Sequence, residues 1–280
     1  MKKVLCIVLA LVLVLSLTAC GGGKQPAGKT FTVATNCPFE PFEYIGTDGL
    51  VYGIDMEIAA EFCKTKGYTL VIKNILDFDA ILSQVSSGYA DIGMAGLTIN
   101  DKRLETNDFT DTYYNASQKI IVKSDCTLFD GCKTAAEVEE VILGLAKGTK
   151  IGYQTGTTGN WYVAGDEGWG YTGFANIDPK GYDSALQGVQ DLKNGNIFGV
   201  VVDELPAAAL AKANTGVKVI DVPLTEEEYA FAVKKGNTAL VNEFNAFLKE
   251  IKGNGTFDAI IAKYFEGTGT KVGSDFETVG

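Results

Sequence analysis

The stretch Ala95-Gly96-Leu97-Thr98-Ile99-Asn100-Asp101-Lys102-Arg103 holds residue types suited to gripping a small molecule that bears a carboxylate. Arg103 offers a planar fork of donors, and Thr98 offers a hydroxyl and a backbone amide. Gly96 leaves room for a ligand to reach the backbone. A helix cap for Thr98 and a surface ion pair for Arg103 are the plain alternatives. The sequence contains no histidine. That removes Ser-His-Asp and Cys-His catalysis, His-ligated zinc and histidine general bases. The cysteines lack metal-type spacing, so no metal or other cofactor is expected. Binding, not hydrolysis, is the chemistry these residues suggest.

Surrounding elements must deliver those groups. The run Ala90-Asp91-Ile92-Gly93-Met94 reads as a short buried strand ending just before Gly96. Open α/β sheets place ligands at the C-terminal ends of their strands. Residues 31–34 and 69–72 read as strands, and Val51-Tyr52 as a shorter one. Between them lies a helix expected to start at a cap, Asp55, to face the core with Met56, Ala59, Ala60 and Cys63, and to close at Gly67. Phe78, Ile81, Leu82 and Val85 mark an amphipathic helix ending at Gly88. Residues 117–123 are another extended run, and 124–147 are less regular.

A second unit follows the same plan. Residues 150–153 form a strand leading to the turn Gly156-Thr157-Thr158-Gly159. Leu186, Val189 and Leu192 mark a helix closed by Gly195, and the strand 198–202 runs into Asp203-Glu204-Leu205-Pro206. Then come a strand over 229–233, a helix striped by Leu240, Phe244, Phe247, Leu248 and Ile251, and a short helix over 257–265. A polar tail, expected to be disordered, begins at about Gly267. Alternating strands and helices argue for an α/β fold with mainly parallel sheets.

Met1-Lys2-Lys3 and the apolar run over residues 4–17 form a secretory leader, too short and wrongly flanked for a stable membrane span. Leu17-Thr18-Ala19-Cys20 resembles the bacterial lipobox. That resemblance implies residues 1–20 as a lipoprotein signal ending at Cys20, with lipid on Cys20 tethering the protein to the outer face of the cell membrane. Residues 21–29 would be a flexible tether. Leaving out Lys2 and Lys3 takes the net charge from −11 to −13, which argues against a nucleic-acid partner. About 250 residues remain, enough for one large domain or two ordinary ones.

Taken together, Thr98-Ile99-Asn100-Asp101-Lys102-Arg103, Gly156-Thr157-Thr158-Gly159 and Val202-Asp203-Glu204-Leu205-Pro206-Ala207 resemble three signatures of one family. It is the amino-acid-binding solute-binding proteins of ABC importers, in their lipid-anchored form. Pro41-Phe42-Glu43-Tyr44, Tyr52-Gly53-Ile54-Asp55, and the ending from Gly255 to Phe265 fit as well. The resemblance covers residues 30–266. It implies a two-lobed, periplasmic-binding-protein-like fold (type II), each lobe a mostly parallel sheet flanked by helices. Two crossing strands, near Ile121 and Tyr229, would join lobe 1 (30–121 and 229–280) to lobe 2 (122–228). The implied protein is a monomer without enzymatic activity that captures a free α-amino acid and delivers it to a membrane permease.

Carried over by position, the resemblance gives Arg103 the ligand's α-carboxylate, supported by Thr98 and by amides of Thr157 and Thr158. The Gly96 carbonyl and Asp203 would take the α-ammonium, with Glu204 the rival to Asp203. Asn36 stands where relatives for cationic amino acids carry an acid. Ile54 replaces a phenylalanine that covers the ligand side chain, leaving Phe39 as the apolar wall. Gln154 sits where side-chain polarity is read. These point to a polar uncharged ligand such as glutamine or a sulfur amino acid, although Glu40 near the mouth keeps a basic one open. Trp161 is either an entrance residue or a packing one. Cys126 and Cys132 could close a small disulfide loop, whereas Cys37 and Cys63 read as loop and core residues. Other readings are a dehydratase on the same fold, acting on a cyclic acid with Glu204 as general acid, and a ligand-sensing domain.

Overall fold

The computed structural model describes residues 28–273 and 275–279; the leader, Cys20 and most of the tether lie outside these. Two mixed sheets carry the fold. The first has the strand order Asp275–Val279, Thr69–Ile75, Thr30–Thr35, Ile92–Gly93, Ala232–Lys234, Asn107–Phe109. Its first four strands run parallel, and the last two are antiparallel additions. The second sheet orders Ile177–Tyr182, Thr149–Gln154, Gly199–Asp203, Gln118–Lys123, Val217–Val219, with the first three parallel.

Helices bury apolar stripes on both faces of each sheet, the layered solution for α/β chains. In the first lobe, Ile54–Lys66 and Thr238–Gly253 pack Phe62, Phe244 and Phe247 against one face. Ile81 and Val85 of Ala80–Ser87 cover the other. In the second, Val138 and Ile142 of Ala135–Leu143 cover one face, and Val189 and Leu192 of Ala185–Asn194 the other. Among the described residues no helix is long and apolar enough to cross a membrane.

Several expectations need correction. The first crossing is Tyr114–Ala116, which pairs antiparallel with the second, Glu227–Tyr229; Ile121 lies inside the second sheet. Asp55 does not cap its helix. Gly53 occupies the cap position, and Asp55 turns inward to accept from the Tyr113 hydroxyl at 2.6 Å and the Gly96 amide at 3.1 Å. Residues 124–147 contain the helix Ala135–Leu143, started by a reciprocal capping box between Thr134 and Glu137. Among the described residues the tail is structured. Glu57 accepts from Lys263, Tyr264 and the Thr270 amide, and the chain then adds Asp275–Val279 to the sheet edge. Cys126 and Cys132 are free thiols packed against the second core, with no bond between them.

Candidate functional site

The C-terminal ends of four parallel strands face one another across the cleft. Thr30–Thr35 delivers Asn36, and Ile92–Gly93 leads to Gly96 and Thr98. The short helix Asp101–Thr106 carries Arg103, whose amide is received by the Asn100 side chain at 3.0 Å. From the other lobe, Thr149–Gln154 delivers Gln154, Thr157 and Thr158, while Gly199–Asp203 ends on Asp203. Groups from both lobes line one narrow cavity together with Phe39, closed down to about 10 Å³ of free space. Gly96 must be glycine. Its φ is +54°, and a β-carbon would sit 2.7 Å from the Phe39 ring.

Arg103 is 4% exposed and anchors the positive end. Its Nη1 donates to the Thr98 carbonyl at 2.6 Å, and its Nη2 reaches the Gly156 carbonyl of the opposite lobe at 3.3 Å. The rings of Trp161, Trp169 and Phe78 stand 5.3–5.7 Å from the guanidinium carbon. Burial lowers its pKa to about 10. Trp161 thus does more than pack: it stacks on Trp169 at 3.5 Å and the pair roofs Arg103.

The negative end is Asp203. Its Oδ2 accepts from the Tyr229 hydroxyl at 2.6 Å, and burial, with Glu227 nearby, pushes its pKa up to about 7. Glu204 stays outside, bonded to Lys119 Nζ at 2.8 Å in an open groove. Ile54 is likewise absent from the cavity; it is fully buried in the first core as the first helical residue after Gly53. Glu40 is exposed. The Asn36 amide donates to the Ile75 and Leu76 carbonyls and accepts from Gln154 Nε2 at 2.8 Å, tying the lobes together. Thr158 donates to Thr98 across the cleft at 3.4 Å. The lobes are closed on each other.

Sequence reasoning missed Glu43. It lines the cavity and is fully buried beside Asp55, with no N–H or hydroxyl donor on either carboxyl oxygen. Burial and the neighbouring charge of Asp55 hold its pKa well above the usual carboxylate range. Asp55, raised to about 7 by burial, lies behind it. The signal was available: an acid between Phe42 and Tyr44, inside a segment read only for its family resemblance. One cation thus faces two acids, Asp203 and Glu43, among the described residues that line the cavity. Such a site complements a zwitterion, with a spare acid for the remainder of the ligand.

The profile of the bacterial extracellular solute-binding proteins, family 3, matches residues 31–267. The "Probable histidine-binding protein" of Neisseria gonorrhoeae is 32% identical over 263 residues, 90% of this chain and 91% of that one. The arginine-binding extracellular protein of Bacillus subtilis is 28% identical, across 95% of this chain and 99% of its own. Among solved structures, an ancestral arginine-binding protein bound to glutamine superposes with a TM-score of 0.71. It is 33% identical and covers 84% of this chain and 97% of its own.

Proposed function

The chain belongs to the bacterial extracellular solute-binding proteins, family 3, and from that footing we propose that it is the amino-acid-capturing component of an ABC importer. It works outside the cytoplasm and binds rather than transforms its ligand. The observation that carries the reading is the cavity itself. Arg103 and Asp203 line it from different lobes, both buried. The α-carboxylate pairs with Arg103, helped by the backbone amides of Thr98, Thr157 and Thr158. The α-ammonium pairs with Asp203 and the Gly96 carbonyl. Because the two lobes each supply one partner, the ligand draws them together, and closure is the expected response. Glu204, the acid a dehydratase would need, points into a different groove.

The ligand's side chain lies toward Phe39, Asn36, Gln154 and Glu43. The two uncharged amides favour a polar neutral side chain, glutamine foremost. Glu43 offers a cationic side chain a counter-charge once it gives up the proton that burial favours, in keeping with the histidine- and arginine-binding names of the relatives. Lipid on Cys20 anchors the protein, as a monomer, beside its permease. A thermal-shift screen of the twenty amino acids and cystine tests the function. A ligand at 100 times its dissociation constant adds about 2.7 kcal/mol of stability. No shift with any of them would remove the reading.

A further inference from the structure

The crossing strand Glu227–Tyr229 does more than connect the lobes. Residues two apart on a strand point to the same side, and here residues 227 and 229 each hold a ligand-binding group. Tyr229, from its end, donates its hydroxyl to Asp203 of the second lobe at 2.6 Å. Glu227, from the other, receives the Thr98 hydroxyl of the first lobe on Oε2 at 2.6 Å. The Glu227 Oε1 receives Gln118 Nε2 at 3.0 Å, where the second sheet begins, and the Thr225 hydroxyl at 2.6 Å. Glu227 is 7% exposed, on the floor of the open groove that also takes Glu204.

A threonine hydroxyl has one proton and two lone pairs. With that proton given to Glu227, Thr98 Oγ1 can only accept from anything in the cavity. It is therefore an acceptor for an ammonium, not a donor to a carboxylate. We propose that Glu227 is a positioning residue that fixes the Thr98 hydroxyl as part of the ammonium subsite and ties ligand engagement there to both crossing segments. This rests on the amino-acid reading above. Three donors converge on Glu227, and glutamine has only one acceptor oxygen to offer them. In Glu227→Gln one donor must face the new NH2 group. Where that donor is Thr98, its proton turns into the cavity and opposes the ammonium.

The test is a double-mutant cycle on the full chain, read by calorimetry with L-arginine, L-histidine, L-glutamine and L-cystine. Thr98→Val and Glu227→Gln should each weaken the tightest of these by about tenfold or more, the scale of a hydrogen bond to a charged group. In the Thr98→Val background, Glu227→Gln should cost nothing further. A purely structural role for Glu227 would make the two losses multiply, and that result overturns the proposal, as does native affinity in Glu227→Gln. Should Glu227→Gln fail to fold, Thr225→Val removes one donor from the same carboxylate. It should weaken binding less, again only where Thr98 is present; an equal loss in both backgrounds refutes the coupling. Failure of the native protein to bind any of the four or the remaining standard amino acids would instead refute the amino-acid reading, and the proposal with it.

Discussion

Replacing Arg103 by alanine isolates the strongest contact assigned to the ligand. The guanidinium is buried, and burial has already drawn its pKa down to about 10, so its charge has little water to fall back on. Its two nitrogens sit on the Thr98 and Gly156 carbonyls, one in each lobe, which holds the fork in a fixed direction. Removing one member of such a desolvated pair costs about 2–5 kcal/mol, because the other charge is left buried and unpaired. At about 1.4 kcal/mol per factor of ten, the dissociation constant should rise by about 30-fold to several thousand-fold. Arg103→Lys keeps a charge but cannot make the fork or stack over Trp161 and Trp169, so it should recover little of the loss. Calorimetry with the tightest amino acid from the thermal-shift screen gives the numbers, with circular dichroism melts to show that the variants fold. An alanine variant within threefold of native affinity would place the carboxylate elsewhere and refute the assignment.

Binding should weaken as pH falls below 7. The Asp203 carboxyl, held near 7 by burial, must lose its proton to meet an ammonium, so affinity should drop by up to about tenfold per pH unit between pH 7 and 5; constant affinity across that range would contradict the pairing. Ligand-free stability should move the other way. Glu43, Asp55 and Asp203 all have folded pKa values above their unfolded ones, so the native state holds extra protons and stability is lost as pH rises from about 4 through 7. A lower melting temperature at pH 8 than at pH 5 is the expected result. Glu43→Gln should weaken arginine by more than about tenfold while leaving glutamine within a few-fold; equal effects on both would detach Glu43 from side-chain selection. Gly156→Ala should impede closure, since φ is +78° there and a β-carbon would stand 1.9 Å from the Asp79 carboxylate of the opposite lobe. Unchanged compaction in small-angle scattering on ligand addition would count against that.

Elements with long, clean periodicity were legible. The stripe from Leu240 to Ile251 became the helix Thr238–Gly253, and the run before Gly96 became a central strand. What escaped was set by long-range contacts. Strand Ile177–Tyr182 contains Pro179 and Gly181, which suppress a strand reading yet are tolerated at a sheet edge. The polar strand Asp275–Val279 exists because Thr69–Ile75 offers it an open edge. At the site, Gly96, Thr98, Arg103 and Asp203 sit together as strand-end logic suggests. Glu43 showed in sequence only as an acid between Phe42 and Tyr44, and a buried acid and a surface acid look alike there; that Asp55 behind it is buried follows only from the Tyr113 and Gly96 donors packed on it.

The central claim is that one cavity grips both charged ends of a free amino acid. Calorimetric titration of the native protein with its tightest amino acid, beside the methyl ester and the N-acetyl derivative of the same compound, tests it most directly. The account predicts one-to-one binding of the free amino acid and none of either derivative. Binding of the ester or of the N-acetyl compound within a few-fold of the parent would contradict it.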